Sequence, residues 1–152
     1  MIINFSLLLK GWSHQGTIPY INKMMAEGKS KEEIAKLTGH EYCVSTNSGT
    51  SALLISLACL GIYKNQKVVV PGYGYVSGAN CAKFLGYEVE PVDVTYEGHI
   101  NSQLLSETLE KEDVGAVIFI QHNGTNTKDY EQSYRICKEK NIPFISDSAV
   151  AL

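Results

Sequence analysis

Three groups of residues in this 152-residue chain have the types and spacing to do chemistry. The first is the turn Ser48, Gly49, Thr50 and Ser51. It lies between the strand-like Tyr42, Cys43 and Val44 and an apolar run over residues 51–62 that reads as a buried helix. A helix start leaves backbone N–H groups without partners and favours an anion by a few tenths to ~2 kcal/mol. Gly49 permits close backbone approach, and the neighbouring hydroxyls add donors. The same residues also describe an ordinary N-cap by Ser48 or Thr50. Neither GxGxxG nor the GxxxxGK of a P-loop is present. The second group is Tyr73, Gly74 and Tyr75, an aromatic pair on a tight backbone. The third is Asp147, a carboxylate at the end of an apolar stretch, where burial demands a cationic or hydrogen-bonding partner. An Asp in that place can equally cap a following helix.

The elements that must position these groups alternate along the chain. Residues 67–70 form an all-apolar strand stopped by Pro71 and Gly72, as in a parallel sheet covered on both faces. A helix over residues 76–85 ends at Gly86, and a strand over residues 87–94 carries Pro91, which argues for a sheet edge or strand end. Asn101 caps a helix carrying Leu104, Leu105 and Leu109, and residues 114–120 make the most hydrophobic strand. The loop over residues 121–127 leads to a helix at 129–140 and a last strand at 142–145. Such alternation with short connections predicts an α/β domain with a largely parallel sheet, in which ligands bind at the carboxyl ends of strands. Earlier in the chain, Pro19 opens a helix over residues 20–27, and Ser30 with Glu33 forms a capping box for another that stops at Gly39. The apolar start at residues 1–9 is too short to span a bilayer and lacks a signal-peptide pattern, so it is expected to pack on the fold or on a partner.

Hydrophobic content of 44%, charged content of 19% and a net charge of −3 describe an ordinary soluble protein with no basic surface for nucleic acid and no polybasic run for a membrane. Cys43, Cys59, Cys81 and Cys137 are widely spaced without a CxxC, which reads as buried, reduced thiols in a cytoplasmic protein. Of His14, His40, His99 and His122, only His122 is expected near the site. The others read as surface or satisfied structural histidines. An anion turn, an aromatic plate and a carboxylate together match the phosphate, flat ring and ring nitrogen of pyridoxal phosphate (PLP), whose protonated ring acts as an electron sink.

From residue 33 to 152, through NSGTSALLISLACLGI, KVVVPGYGYVSGANCAKFLGYEVEPVDV, the segment at residues 98–109 and IPFISDSAVAL, the sequence resembles the N-terminal part of the DegT/DnrJ/EryC1/StrS family. Its members are PLP-dependent aminotransferases of nucleotide-linked keto sugars. The resemblance implies a type I aminotransferase-like large domain, incomplete here, with a mostly parallel sheet flanked by helices and dimers with active sites at the subunit interface. By motif, Gly49, Thr50 and Ser51 hold the cofactor phosphate, Tyr75 stacks on the pyridine ring and Asp147 pairs with its nitrogen.

Three departures qualify the resemblance. Asp147, Ser148, Ala149 and Val150 stand where the family reads Asp-Ala-Ala-Gln, so the Gln supporting the ring hydroxyl is missing. Gln121, His122, Asn123 and Gly124 match a His-x-Tyr-Gly loop only loosely. The family's Schiff-base lysine lies some tens of residues beyond this Asp, and no lysine here matches it. Transamination needs that amine, so the chain alone is expected to be inactive. It is either a truncated piece or, as its initial Met and retained cofactor positions favour, half of a split enzyme whose second polypeptide brings the lysine. A homo-oligomer, a non-catalytic scaffold or nucleotide-sugar-binding subunit, and a dinucleotide-binding oxidoreductase lacking its glycine fingerprint are the alternatives.

Overall fold

The computed structural model describes residues 3–5, 28, 30, 32, 33, 36, 44, 46, 48–122 and 127–148. They form strand β1 (Ile3–Phe5), helix α1 (Gly49–Cys59), β2 (Lys67–Pro71), α2 (Ser77–Phe84), β3 (Glu88–Val92), α3 (Ser102–Lys111), β4 (Val114–Ile120), α4 (Lys128–Glu139) and β5 (Phe144–Asp147). The five strands make one sheet in the order β1-β5-β4-β2-β3, with every pairing parallel. β3 is an edge strand, which accommodates Pro91. Residues 20–27 lie outside the described residues. The capping box is present: the Ser30 amide donates to Glu33 Oε2 at 2.7 Å and the Glu33 amide to Ser30 Oγ at 3.3 Å.

Alternation along the strands sorts the core into two layers. Val68, Val70, Ala116, Ile118 and Ile145 face Leu53 and Leu57 of α1 and Cys81 and Ala82 of α2. Val69, Val117, Phe119 and Phe144 face Leu105 and Leu109 of α3 and Cys137 of α4. Each fully buried Leu or Phe contributes about 1.5–3 kcal/mol by leaving water, so helices on both sides hold the sheet. One irregularity lies between β2 and β4, where the register jumps from Lys67↔Val114 to Val68↔Ala116. Gly115 is the extra residue of this bulge, and a Cβ there would collide with Ile62 Cγ2.

Several boundaries differ from the sequence expectation. Val44 lies outside regular structure and is 58% exposed, so the described part of residues 42–44 supplies no strand. β3 ends at Val92, and Val94 instead makes an isolated antiparallel bridge with Ile100. The last strand begins at Phe144 and reaches Asp147, not Ile145. The end of α4 explains the shift: Asn141 has φ 56° and the Ile142 amide donates to Cys137 O, which ties residue 142 to the helix. Residues 3–5 do pack on the fold, as a strand beside β5.

Candidate functional site

The order of the strands fixes where a ligand can enter. From β2 the chain crosses through α2 to β3 on one side, whereas β4 leads through α4 to β5 on the other. Neighbouring β2 and β4 therefore diverge, and the crevice beyond their carboxyl ends is the switch point of an open parallel sheet. The residues that follow those ends are Tyr73 to Tyr75 after β2 and Gln121 and His122 after β4.

At the start of α1, Ser48 is the N-cap with extended backbone, and its Oγ accepts from the Ser51 amide at 3.1 Å and pairs with Ser51 Oγ at 2.8 Å. Thr46 Oγ1 donates to Ser48 O at 2.9 Å, which braces the approach. The cap and the anion turn are thus compatible: Ser48 takes the Ser51 amide, and no acceptor among the described residues takes those of Gly49 and Thr50. Gly49 is buried and Thr50 exposed. The Cys81 thiol donates to Thr50 O at 3.4 Å, tying this turn to α2, the helix that begins just after the tyrosine loop.

The tyrosine loop is held from below. Tyr73 and Tyr75 are 66% and 76% exposed, so both residues are open to solvent. Gly74 has φ 145°, and a Cβ there would meet Ile120 Cδ1 at 2.9 Å and His122 Nε2 at 3.3 Å. The His122 ring lies 5.6 Å from that of Tyr73 and 6.1 Å from that of His99, which in turn stacks on Phe119 at 5.7 Å and 10°.

Asp147 ends β5, and its residue is 8% exposed. Alternation puts it on the face of Ile145, the face that carries α1 and α2. The opposite face holds a hydroxyl relay: Ser146 Oγ pairs with Ser148 Oγ at 2.9 Å, and Ser148 Oγ donates to Gln121 Oε1 at 2.7 Å. The Gln121 amide also donates to Asp147 O at 2.9 Å, locking the ends of β4 and β5 together. The topology therefore sets the Ser48–Ser51 turn, the tyrosine loop and Asp147 at the carboxyl end of the sheet, with the turn and Asp147 on the α1 face and the Tyr73 ring stacked toward the opposite one.

The lysines of the strands, of α2 to α4 and of their connections lie mainly at the other end of the sheet. Glu112 and Glu90 hydrogen-bond the Lys67 ammonium at 2.7 and 2.8 Å and hold it well above its ordinary pKa. Lys67 begins β2, and Lys64, Lys83, Lys111, Lys138 and Lys140 also lie toward the amino ends of strands. Lys128 opens α4 at the carboxyl end but on the other face, and it is exposed. A groove of about 300 Å³ between β3 and α3, lined in part by Glu90, Asp93, Glu107 and Lys111, is separate from the switch point.

Two residues depart from the sequence reading. His99 is neither a surface nor a satisfied histidine: it is 1% exposed, and among the described residues neither ring nitrogen has a hydrogen-bond partner. Each unmet group costs about 1–3 kcal/mol. Tyr96, Glu97 and Gly98 followed by Ile100 mark a hairpin-like turn with His99 at its root, but the packing on Phe119 that buries the ring leaves no local signal. Cys59 is exposed, because it occupies the outer face at the end of α1, whereas Cys81 and Cys137 are buried as expected. Cys43 lies outside the described residues. No group of three or more metal-ligating side chains occurs among the described residues, nor does a helix long and apolar enough to cross a membrane.

This arrangement can be set beside known proteins. The DegT/DnrJ/EryC1/StrS aminotransferase family matches residues 23–152. Over 124 residues the chain is 31% identical to the UDP-4-amino-4,6-dideoxy-N-acetyl-beta-L-altrosamine transaminase of Campylobacter jejuni, covering 80% of this chain and 32% of that protein. It is 30% identical over 122 residues to the UDP-2-acetamido-2-deoxy-3-oxo-D-glucuronate aminotransferase of Pseudomonas aeruginosa, covering 78% of this chain and 33% of the relative. Helicobacter pylori PseC, an aminotransferase of pseudoaminic acid biosynthesis, superposes with a TM-score of 0.72 at 25% identity, over 80% of this chain and 33% of its own. A Brucella abortus DegT DnrJ EryC1 StrS aminotransferase gives 0.70 at 22% identity, over 88% of this chain and 40% of its own. The chain spans about a third of the length of the curated relatives it matches. The sheet is that of a type I aminotransferase large domain, and with the family match running through all three parts of the site, the chain belongs to the DegT/DnrJ/EryC1/StrS aminotransferase family.

Proposed function

We propose that residues 1–152 are the N-terminal part of the PLP-binding large domain of an aminotransferase acting on a nucleotide-linked keto sugar, completed by a second polypeptide that supplies the cofactor lysine. What supports this reading is that a helix start with available amides, the exposed Tyr75 ring and the buried Asp147 carboxylate all lie at the carboxyl end of the sheet. The names of the relatives, transaminases and aminotransferases of UDP-linked sugars, support the substrate class.

The residues present fit PLP. Gly49 and Thr50 offer amides at the start of α1, and the hydroxyls of Thr50 and Ser51 lie in the same turn, which suits the phosphate. Tyr75 offers its ring face to the pyridine. Asp147, withdrawn from water, favours a protonated ring nitrogen as its counter-charge. PLP, when bound, supplies an electron sink for the carbon that gains or loses the amine. The protein's part is to hold the phosphate, stack the ring and keep its nitrogen protonated. Neither the lysines at the amino ends of the strands nor Lys128 on the far face stands with these groups, which supports an amine supplied from outside residues 1–152. Reduced thiols and the absence of a membrane helix among the described residues support a cytoplasmic setting.

The deciding experiment titrates PLP into this chain alone and into a mixture with the product of its neighbouring gene, following visible absorbance and its loss on borohydride reduction. A borohydride-sensitive band in the mixture only, with the reduced cofactor mapped to a partner lysine, is the expected result. A band with this chain alone, mapped to Lys128 or any other of its lysines, overturns the partner requirement. No binding in either sample favours a scaffold or nucleotide-sugar-binding subunit.

A further inference from the structure

The crevice between β2 and β4 holds one side chain whose surroundings single it out. The His122 ring is enclosed by two glycines that both lie at positive φ, Gly74 at 145° and Gly98 at 85°. A Cβ on Gly74 would come within 3.3 Å of His122 Nε2, and one on Gly98 within 3.3 Å of His122 Cδ2. Both figures are tighter than an ordinary carbon contact. The Tyr73 ring packs on the same imidazole, with centroids 5.6 Å apart, and also lies 3.5 Å from a Cβ built on Gly98. Below, His99 and Phe119 continue the stack into the core. Phe119 is fully buried, so the series of rings is anchored at its inner end and free at its outer one.

Apart from Ile120, whose Cδ1 lies under Gly74, His122 is the side chain that supports the tyrosine loop among the described contacts. After Gly72, whose amide donates to Val92 O at 2.8 Å, none of the amides of Tyr73, Gly74 and Tyr75 takes part in a described backbone hydrogen bond. Tyr75 itself is three-quarters exposed. The fixed points of the loop are therefore Ile120 Cδ1 and the His122 ring against Gly74, and the same ring against Tyr73.

We propose that His122 is a positioning residue: wedged between Gly74 and Gly98 and backed by His99 and Phe119, it fixes the Tyr73–Tyr75 loop so that the Tyr75 ring is presented edge-fixed at the switch point. This inference rests on the reading of Tyr75 as the plate for a pyridine ring. His122 touches the loop rather than the cofactor, and it acts through backbone placement. An ordered plate has less freedom to lose when a ring stacks on it, and therefore binds more tightly than a mobile one.

The test measures loop order and PLP affinity separately on the full chain. Nitrogen-15 relaxation of the Gly74 and Tyr75 amides should give order parameters near 0.85 in the wild type, falling below about 0.6 in His122→Ala. The amides of β4 and β5 should stay unchanged. His122→Gln, which keeps a flat polar group of similar reach, should restore most of the order. In parallel, PLP dissociation constants from the induced circular dichroism of the cofactor should rise about 2–10-fold in Tyr75→Ala. His122→Ala should weaken binding similarly, and the double variant should be no worse than Tyr75→Ala alone.

Unchanged loop order in His122→Ala overturns the inference, as does a double variant whose two effects multiply. If His122→Ala does not fold, Gly98→Ala, which displaces the ring and leaves it in place chemically, must loosen the same two amides, and a rigid loop there is equally fatal. A wild type that binds no PLP even beside the partner chain, or a Tyr75→Ala variant that binds it as well as wild type, overturns the cofactor reading instead. The relaxation arm then still decides whether His122 holds the loop.

Discussion

Phe119 links the sheet to the site. It is the next-to-last residue of β4 and has no exposure, and His99, Tyr130 and Phe144 surround its ring with centroids at 5.7, 5.4 and 5.7 Å. Phe119→Ala is expected to cost about 3–5 kcal/mol in chemical denaturation, because the cavity opens beneath the stack as well as in the core. The thiols give a second residue-scale prediction. Burial pushes the Cys137 thiol up to about 12 and raises that of Cys81, so both stay protonated and unreactive near neutral pH. Cys59 is exposed. Alkylation of the native chain at pH 8, mapped by mass spectrometry, should label Cys59 and spare Cys81 and Cys137 until denaturant is added. At this scale, Asp147 and Tyr75 could be picked out from the sequence because a polar or aromatic residue at a strand end breaks an apolar pattern. His99 could not, since its burial follows from the turn at residues 95–98 folding back on β4, a contact absent from any local pattern.

Among the elements, α1 carries the first part of the site and depends on its cap. Removing the Ser48 hydroxyl frees the Ser51 amide at a buried helix start, so Ser48→Ala is expected to cost about 0.5–2 kcal/mol, measured without PLP. The β4 bulge is equally specific. Gly115→Ala sets a methyl against Ile62 and Gln66 and should destabilise the chain by about 1–3 kcal/mol, with thermal unfolding as the check. Helix and strand types were legible from periodicity, and Asn101 and Thr127 cap their helices as small polar residues do. The start of β5 was misjudged because Ile142 and Pro143 look strand-like, although the Ile142 amide is committed to Cys137. The bulge was invisible, since it depends on the pairing of β4 with a strand that lies before it in the chain by more than 40 residues.

For the molecule as a whole, charge and topology divide the two ends of the sheet. The amino end is tied by Lys67 between Glu112 and Glu90. Because the folded pKa of Lys67 is raised, its contribution is fully present below the unfolded value of about 10.4 and is lost as pH climbs through the higher folded value. Wild type should therefore be more stable than Lys67→Met at pH 8, and the gap should close at strongly alkaline pH in parallel urea titrations. The carboxyl end is left for the ligand. The α/β class and the parallel sheet could be read from the alternation of elements, but the strand order that creates the crevice could not, because it is set by which neighbours each strand finds.

That strand order also dictates when the crevice can exist during synthesis. β2 pairs with β4 across a separation of about 48 residues, and β1 with β5 across about 140, as Ile3↔Ile145 shows. Such distant contacts give a high contact order and folding in milliseconds to seconds rather than microseconds. On the ribosome, the helix start and the tyrosine loop emerge well before β4 does, and the two walls of the crevice meet only when residue 120 has cleared the exit tunnel. Until then the apolar strand β2 has only β3 beside it, an exposed template for mispairing. Closure of the crevice is thus a late event, and the interval between the synthesis of β2 and that of β4 is when the chain is most open to mispairing.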